Sequence, residues 1–164
     1  MKRLFDGFKI VAVALAMIGL AACSSKDKPD VAAVDVESAV PGSQRDFTIN
    51  VGDRVLFLVD QSTLTPQAQE ILRRQATWLR QYAQVTIQVE GHADERGTRE
   101  YNIALSARRA EASKNFLIAQ GVAPGRISTI AFGKERPIAL CSEESCFSQN
   151  RRSVTVITSG AVAG

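Results

Sequence analysis

An α+β domain, with helices packed on one side of a mixed β-sheet, is the fold class this sequence predicts, and three observations carry it. β-branched and aromatic runs alternate with segments of helical period in the order strand, helix, strand, helix, strand, strand. The composition, 45% apolar and 23% charged, is that of a foldable globular chain and excludes wholesale disorder. The 164 residues, less a removable start of 22, leave room for one compact core and a tail.

The start reads as an address. Met1 to Lys9 carries three basic residues, and Ile10 to Ala22 is an apolar run of thirteen, too short for the roughly 20 residues a membrane-spanning helix needs. Residues 1–22 are therefore expected to be a signal peptide. Leu20-Ala21-Ala22-Cys23 places small residues directly before a cysteine and resembles a bacterial lipobox. That resemblance implies cleavage before Cys23 and acylation of its sulfur and new amine; two anchoring signals already give stable membrane attachment, and three acyl chains exceed that. Ser24, rather than Asp, after Cys23 implies sorting to the outer membrane in this class.

From Ser24 to about Asp46 the chain has small, charged and turn-forming residues without a sustained period, so residues 23–46 read as a lipidated N-terminus and flexible linker. Fully extended, its 23 residues reach about 75 to 80 Å. Val31 to Val34 starting a short helix is the alternative there.

Residues 47–160 hold the folded domain. Phe47 to Val51 and Val55 to Val59 are β-rich runs separated by the turn signal Gly52-Asp53. Thr65-Pro66 opens a helix with an N-cap and a proline at the first helical position. Ala68, Ile71, Leu72, Gln75, Trp78, Leu79 and Tyr82 then recur on one face. Val85 to Glu90 alternates as a half-buried strand with Val85, Ile87 and Val89 inward. Tyr101 to Gln120 is the second helix, with Leu105, Ala112 and Phe116 on its stripe and Gly121 placed to end it. Ile127 to Phe132 and Val154 to Ile157 supply the last strands.

Charge and chemistry narrow the function classes. Lys2, Arg3, Lys9 and Asp6 contribute +2 of the +3 net charge, so the remainder lacks the basic excess of a nucleic-acid binder. One histidine, His92, and three cysteines leave little for a metal site or a histidine-centred relay, and no cofactor is expected. Cys141 and Cys146, with four residues between them in a chain sent to an oxidising compartment, read as a loop disulfide.

Gly91-His92-Ala93-Asp94-Glu95-Arg96-Gly97-Thr98-Arg99-Glu100-Tyr101-Asn102, followed by Leu105-Ser106-Ala107-Arg108-Arg109-Ala110, resembles the signature of OmpA-like peptidoglycan-binding domains. The stretch GHADERGTREYN is similar to the peptidoglycan-associated lipoprotein branch of that family, and Phe132 to Pro137 and Ser148 to Arg152 follow in the expected order. The resemblance covers roughly Asp46 to Thr158 and implies an OmpA-like βαβαββ sandwich. It implies a ligand, the diaminopimelate of a peptidoglycan stem peptide, whose free end carries an ammonium and a carboxylate.

Carried over residue by residue, Asp94 would take the ammonium, Arg109 the carboxylate through a bidentate fork, and Asn102 would brace the loop or the ligand. Thr98 would offer a hydroxyl or cap the helix, and both remain open. Gly91 and Gly97 would permit the backbone turns around them. Asp60 closes Phe57-Leu58-Val59-Asp60, the counterpart of a ligand loop whose backbone N–H groups face the ligand carboxylate; Leu58 and Val59 depart from the usual Phe-Asp-Phe-Asp. His92, beside the site, reads as a packed and hydrogen-bonded ring, and Arg108 as a surface charge or salt-bridge partner.

The branch further implies a non-enzymatic tether between outer membrane and wall, facing the periplasm, with TolB and the other Tol-Pal proteins that constrict the outer membrane during division as partners. The alternative is a peptidoglycan-cleaving enzyme using Glu90, Asp94 or Glu95. Two carboxylates about 5 to 9.5 Å apart across a sugar would be needed, whereas these crowd one strand end beside Arg96 and Arg99.

Overall fold

The computed structural model describes residues 39–163. The signal peptide, Cys23 and most of the linker lie outside the described residues. Helix α1 (Gln44–Asp46) runs into a π-helical turn over Phe47–Val51, followed by β1 (Arg54–Leu56), α2 (Pro66–Gln81), β2 (Thr86–His92), α3 (Arg99–Ala119), β3 (Ile127–Gly133), α4 (Glu144–Asn150) and β4 (Arg152–Ser159). The sheet order is β1-β4-β2-β3, with β2 and β3 parallel and the β1–β4 and β2–β4 pairs antiparallel. This is the α+β architecture the alternation predicts, with one further short helix before the last strand. Among the described residues no helix is long and apolar enough to cross a membrane.

Phe47 to Val51 is helical, which corrects the expectation of a strand. Ser43 Oγ accepts from the Asp46 N–H (3.1 Å), and the Asp46 carboxylate accepts from the Gly42 N–H (2.9 Å), so two otherwise unpaired amides are satisfied reciprocally. The same carboxylate takes the Trp78 indole N–H (2.8 Å), and Phe47, 1% exposed, lies edge-on to the Trp78 ring. Contacts to α2 therefore outweigh the strand propensity of the run. β1 is also shorter than Val55 to Val59: the chain leaves the sheet after Leu56, and Leu58 and Val59 are half exposed.

Helix α2 forms where its cap and its stripe place it. Thr65 Oγ1 accepts from the Ala68 N–H (3.1 Å), and Ala68, Leu72, Gln75, Ala76, Trp78 and Leu79 are buried. They meet Val55, Val85, Ile87 and Val89, the apolar face of the sheet. The alternation of β2 is as expected, with Ile87 and Val89, and Val85 just ahead of the strand, essentially inaccessible.

Helix α3 differs from its apolar pattern. Leu105 is buried, but Ala112 and Phe116 only flank the inward stripe, which is Asn102, Leu105, Ser106, Arg109, Ala110, Ser113 and Leu117. Four of these seven are polar, so a hydrophobic period does not find them. Each has a partner, as buried polar groups require: Ser113 Oγ meets Ser153 Oγ at 2.7 Å, and Ser106 Oγ accepts from the Gly133 N–H at 2.9 Å. The helix ends with the Gly121 N–H on Ile118 O and the Val122 N–H on Leu117 O, and the Val122 side chain is buried there.

The α3–β2 approach is closest at Gly91. A Cβ there would stand 1.9 Å from the Ser106 carbonyl oxygen. Gly91 is thus needed for contact and not for a turn, a correction to its expected role. Gly91→Ala is expected to destabilise the domain by about 3 kcal/mol or more, since the obstructing atom is helix backbone. Urea unfolding followed by circular dichroism checks this, and an unchanged midpoint would contradict it.

Candidate functional site

Strand β2 ends at His92, and the next residues turn out of the sheet through Asp94 and Gly97 into α3. Gly97 takes φ +90°, the left-handed region that favours glycine. Thr98 Oγ1 then accepts from the Tyr101 N–H (3.2 Å), so of its two open roles the cap is the one its side chain occupies. Asn102, 1% exposed, donates from Nδ2 to Arg96 O (2.9 Å) and braces the turn from inside the helix.

Arg109 lies on the inner face of α3 and is 0% exposed. Its guanidinium donates to three carbonyls: Nε to Gln61 O (2.8 Å), Nη1 to His92 O (2.9 Å) and Nη2 to Leu58 O (3.2 Å). The Phe57 ring lies under it, with the centroid 5.3 Å from Cζ. Burial pushes its pKa down to about 10, an effect the nearby Asp94 carboxylate opposes, and the group stays protonated at neutral pH. Arg108, one step round the helix, is exposed.

A cavity of about 310 Å³ opens over this guanidinium. Asp60, Asp94, Asn102 and Arg109 all line it, together with Arg96, Tyr101 and Arg151. Thr98 does not. Asp60 sits at φ +57° and accepts from the Tyr101 hydroxyl. The amides of Leu58, Val59 and Asp60 meet no acceptor among the described residues, and Val59 and Asp60 line the cavity.

Asp94, 7% exposed, is clamped. It accepts from the Arg96 guanidinium and backbone N–H and from Arg151 Nη1 (3.2 Å). Burial alone would raise its pKa, but the hydrogen bonds from Arg96 and Arg151 prevail and hold it below the usual carboxylate range. That is the reverse of the raised pKa a general acid needs. Arg151, 4% exposed, was not marked by the sequence reading as a site residue, although the Asn150-Arg151-Arg152 run stands out ahead of the last strand. Its Nε donates to Phe57 O (3.2 Å) and its Nη2 to the Glu144 carboxylate, so it links three segments.

Cys141 and Cys146 are joined by a disulfide, with Cα atoms 5.6 Å apart, at the start of α4. Among the described residues no group of three or more His, Cys, Asp and Glu could hold a metal ion.

Residues 56–151 match the OmpA family. The chain is 53% identical to a peptidoglycan-associated lipoprotein of Mesorhizobium japonicum over 91% of both chains. It is 50% identical to one of Agrobacterium fabrum, over 96% of this chain and 91% of the other. The crystal structure of the peptidoglycan-associated lipoprotein from Burkholderia pseudomallei superposes with a TM-score of 0.63 at 38% identity, covering 64% of this chain and 89% of that one. The C-terminal domain of Helicobacter pylori MotB, 23% identical with a TM-score of 0.61 over 65% and 84% of the two chains, shares the fold.

His92, the chain's only histidine, is 1% exposed, stacks on Phe132 at 5.4 Å and leaves Nδ1 without a partner. Burial first, and then the Arg152 and Arg136 charges, push its pKa from 6.5 to about 4. Because the folded-state value is the lower one, its stability contribution is complete above about pH 6.5 and is lost as pH falls toward 4. The expected loss across that window is about 3 kcal/mol. Unfolding free energies measured from pH 7 to 4 should show this slope in the native protein and a flatter profile in His92→Gln; equal slopes would contradict the assignment.

Proposed function

We propose, from the premise that this chain belongs to the OmpA family, that it binds peptidoglycan non-covalently through diaminopimelate and tethers the outer membrane to the wall. The observation that carries the reading is that one carboxylate, Asp94, and one guanidinium, Arg109, both line a single cavity of about 310 Å³. A diaminopimelate end, with its ammonium and carboxylate on one carbon, requires such a pair. Arg109 has two N–H groups beyond the three given to carbonyls. These and the free amides of residues 58–60 form the anion side, and Asp94 and Asp60 form the cation side. The names of the relatives, peptidoglycan-associated lipoproteins, support the same class of ligand.

No bond is broken in this function. The arrangement holds charge in place, and Asp94 is kept below the usual carboxylate range rather than raised for proton donation, so the reading is a binding protein. Acylation at Cys23 would anchor the chain in the outer membrane. The linker would carry the domain through the periplasm to the wall, and TolB with the other Tol-Pal proteins would engage it during constriction at division.

Calorimetric titration of the whole chain in detergent with a diaminopimelate muropeptide tests the reading. Binding is expected, and Asp94→Asn and Arg109→Lys should each weaken it by about tenfold or more, because one removes the anion and the other the fork. A muropeptide with lysine in place of diaminopimelate lacks the second carboxylate and should bind at least about tenfold more weakly. Equal affinity for the two muropeptides would overturn the assignment of Arg109.

A further inference from the structure

In this structure the Oδ2 oxygen of Asp94 has no place left for a ligand ammonium, while Oδ1 accepts only the Arg96 backbone N–H (3.2 Å). Oδ2 accepts from Arg96 Nε (3.2 Å), Arg96 Nη2 (2.5 Å) and Arg151 Nη1 (3.2 Å), more donors than its two lone pairs serve. For a ligand cation to bind at Oδ2, the oxygen with the greater number of donors, one arginine has to give up its place. Arg151 cannot readily be the one, since its side chain is 5% exposed and also held by Phe57 O. Arg96 is 44% exposed along its side chain and reaches Asp94 from the solvent side.

A second acceptor for Arg96 is already in place. Glu144 Oε2 lies 3.7 Å from Arg96 Nη2, and the Glu144 carboxylate is 60% exposed. Phe147, one turn further along α4, lies beneath the same guanidinium with its centroid 4.6 Å from Cζ. The ring offers an apolar platform across which the planar group can slide while keeping its cation–π contact. The Cys141–Cys146 disulfide spans Glu144 and holds the start of this helix, which accounts for a bridge the binding site itself does not use.

We infer that Glu144 is a positioning residue for ligand capture: on binding, Arg96 passes from Asp94 to Glu144, and Asp94 takes the ligand's ammonium in its place. The inference rests on the reading of Asp94 as the ammonium acceptor. Charge is conserved in the exchange, because Asp94 gains one cation as it releases another. Arg96 thereby shields the buried carboxylate whenever the site is empty.

The test is a double-mutant cycle on the whole chain, titrated with the diaminopimelate muropeptide. Glu144→Gln keeps an oxygen for Arg151 but removes the charge that receives Arg96, and it should weaken binding by about fivefold. Arg96→Gln removes the competitor and should tighten binding by a similar factor. In the Arg96→Gln background, Glu144→Gln should have no further effect. A merely structural Glu144 would cost the same affinity in both backgrounds, and that result, or an unchanged affinity for Glu144→Gln alone, would overturn the inference while leaving the binding function standing. If the native chain fails to bind, the binding reading falls and the exchange falls with it.

Discussion

The buried guanidinium of Arg109 is the constraint around which the cavity-bearing end of the domain is arranged. A charge removed from water costs several kcal/mol unless its donors are satisfied. Here the acceptors are Leu58 O and Gln61 O from the loop after β1 and His92 O from the end of β2. These three carbonyls come from two segments far apart in sequence, so one side chain sets the spacing between the loop 57–61 and the strand end that delivers Asp94. Folding and site assembly are coupled here, since the carbonyls that solvate the buried cation belong to the segments that carry Asp60 and Asp94 to the cavity.

The second organising feature is a ring of alternating charge. Asp94 and Glu144 are each approached by both Arg96 and Arg151. Its members differ in exposure: Asp94 and Arg151 are buried, while Arg96 and Glu144 face solvent. The buried half supplies a fixed geometry and the exposed half a pair that water screens and loosens. A cavity lined this way stays electrostatically satisfied when empty, which a lone buried carboxylate would not. The short helix α4 and its disulfide belong to this ring, although they lie some fifty residues from Asp94 in sequence.

Much of the fold was legible because its signals are local. Thr65-Pro66 announces the start of α2, the alternation of Val85, Ile87 and Val89 announces β2, and Gly121 marks the end of α3. The failures also have physical causes. Phe47 to Val51 alternates like a strand, yet its cap at Ser43 and the packing of Phe47 on Trp78 favour a helical turn, and neither contact is visible from the run itself. The inward face of α3 was misplaced because it is filled by serines, an asparagine and an arginine whose partners are on other elements. In the site, Asp94, Arg109, Asn102 and Asp60 were singled out from motif resemblance, and they line one cavity. Arg151 was passed over, since nothing near it in the chain reveals that it meets a carboxylate 57 residues earlier.

Residue order alone thus specifies the succession of strands and helices, the apolar faces of α2 and β2 and the residues able to carry charge, because propensity, capping and periodicity act over a few neighbouring positions. Which charges meet is settled by the fold. Asp94 is held by Arg96 and Arg151 rather than left open, and Arg109 is wrapped in carbonyls, because pairing and desolvation depend on distances between elements that come together only when the sheet and α3 close on each other.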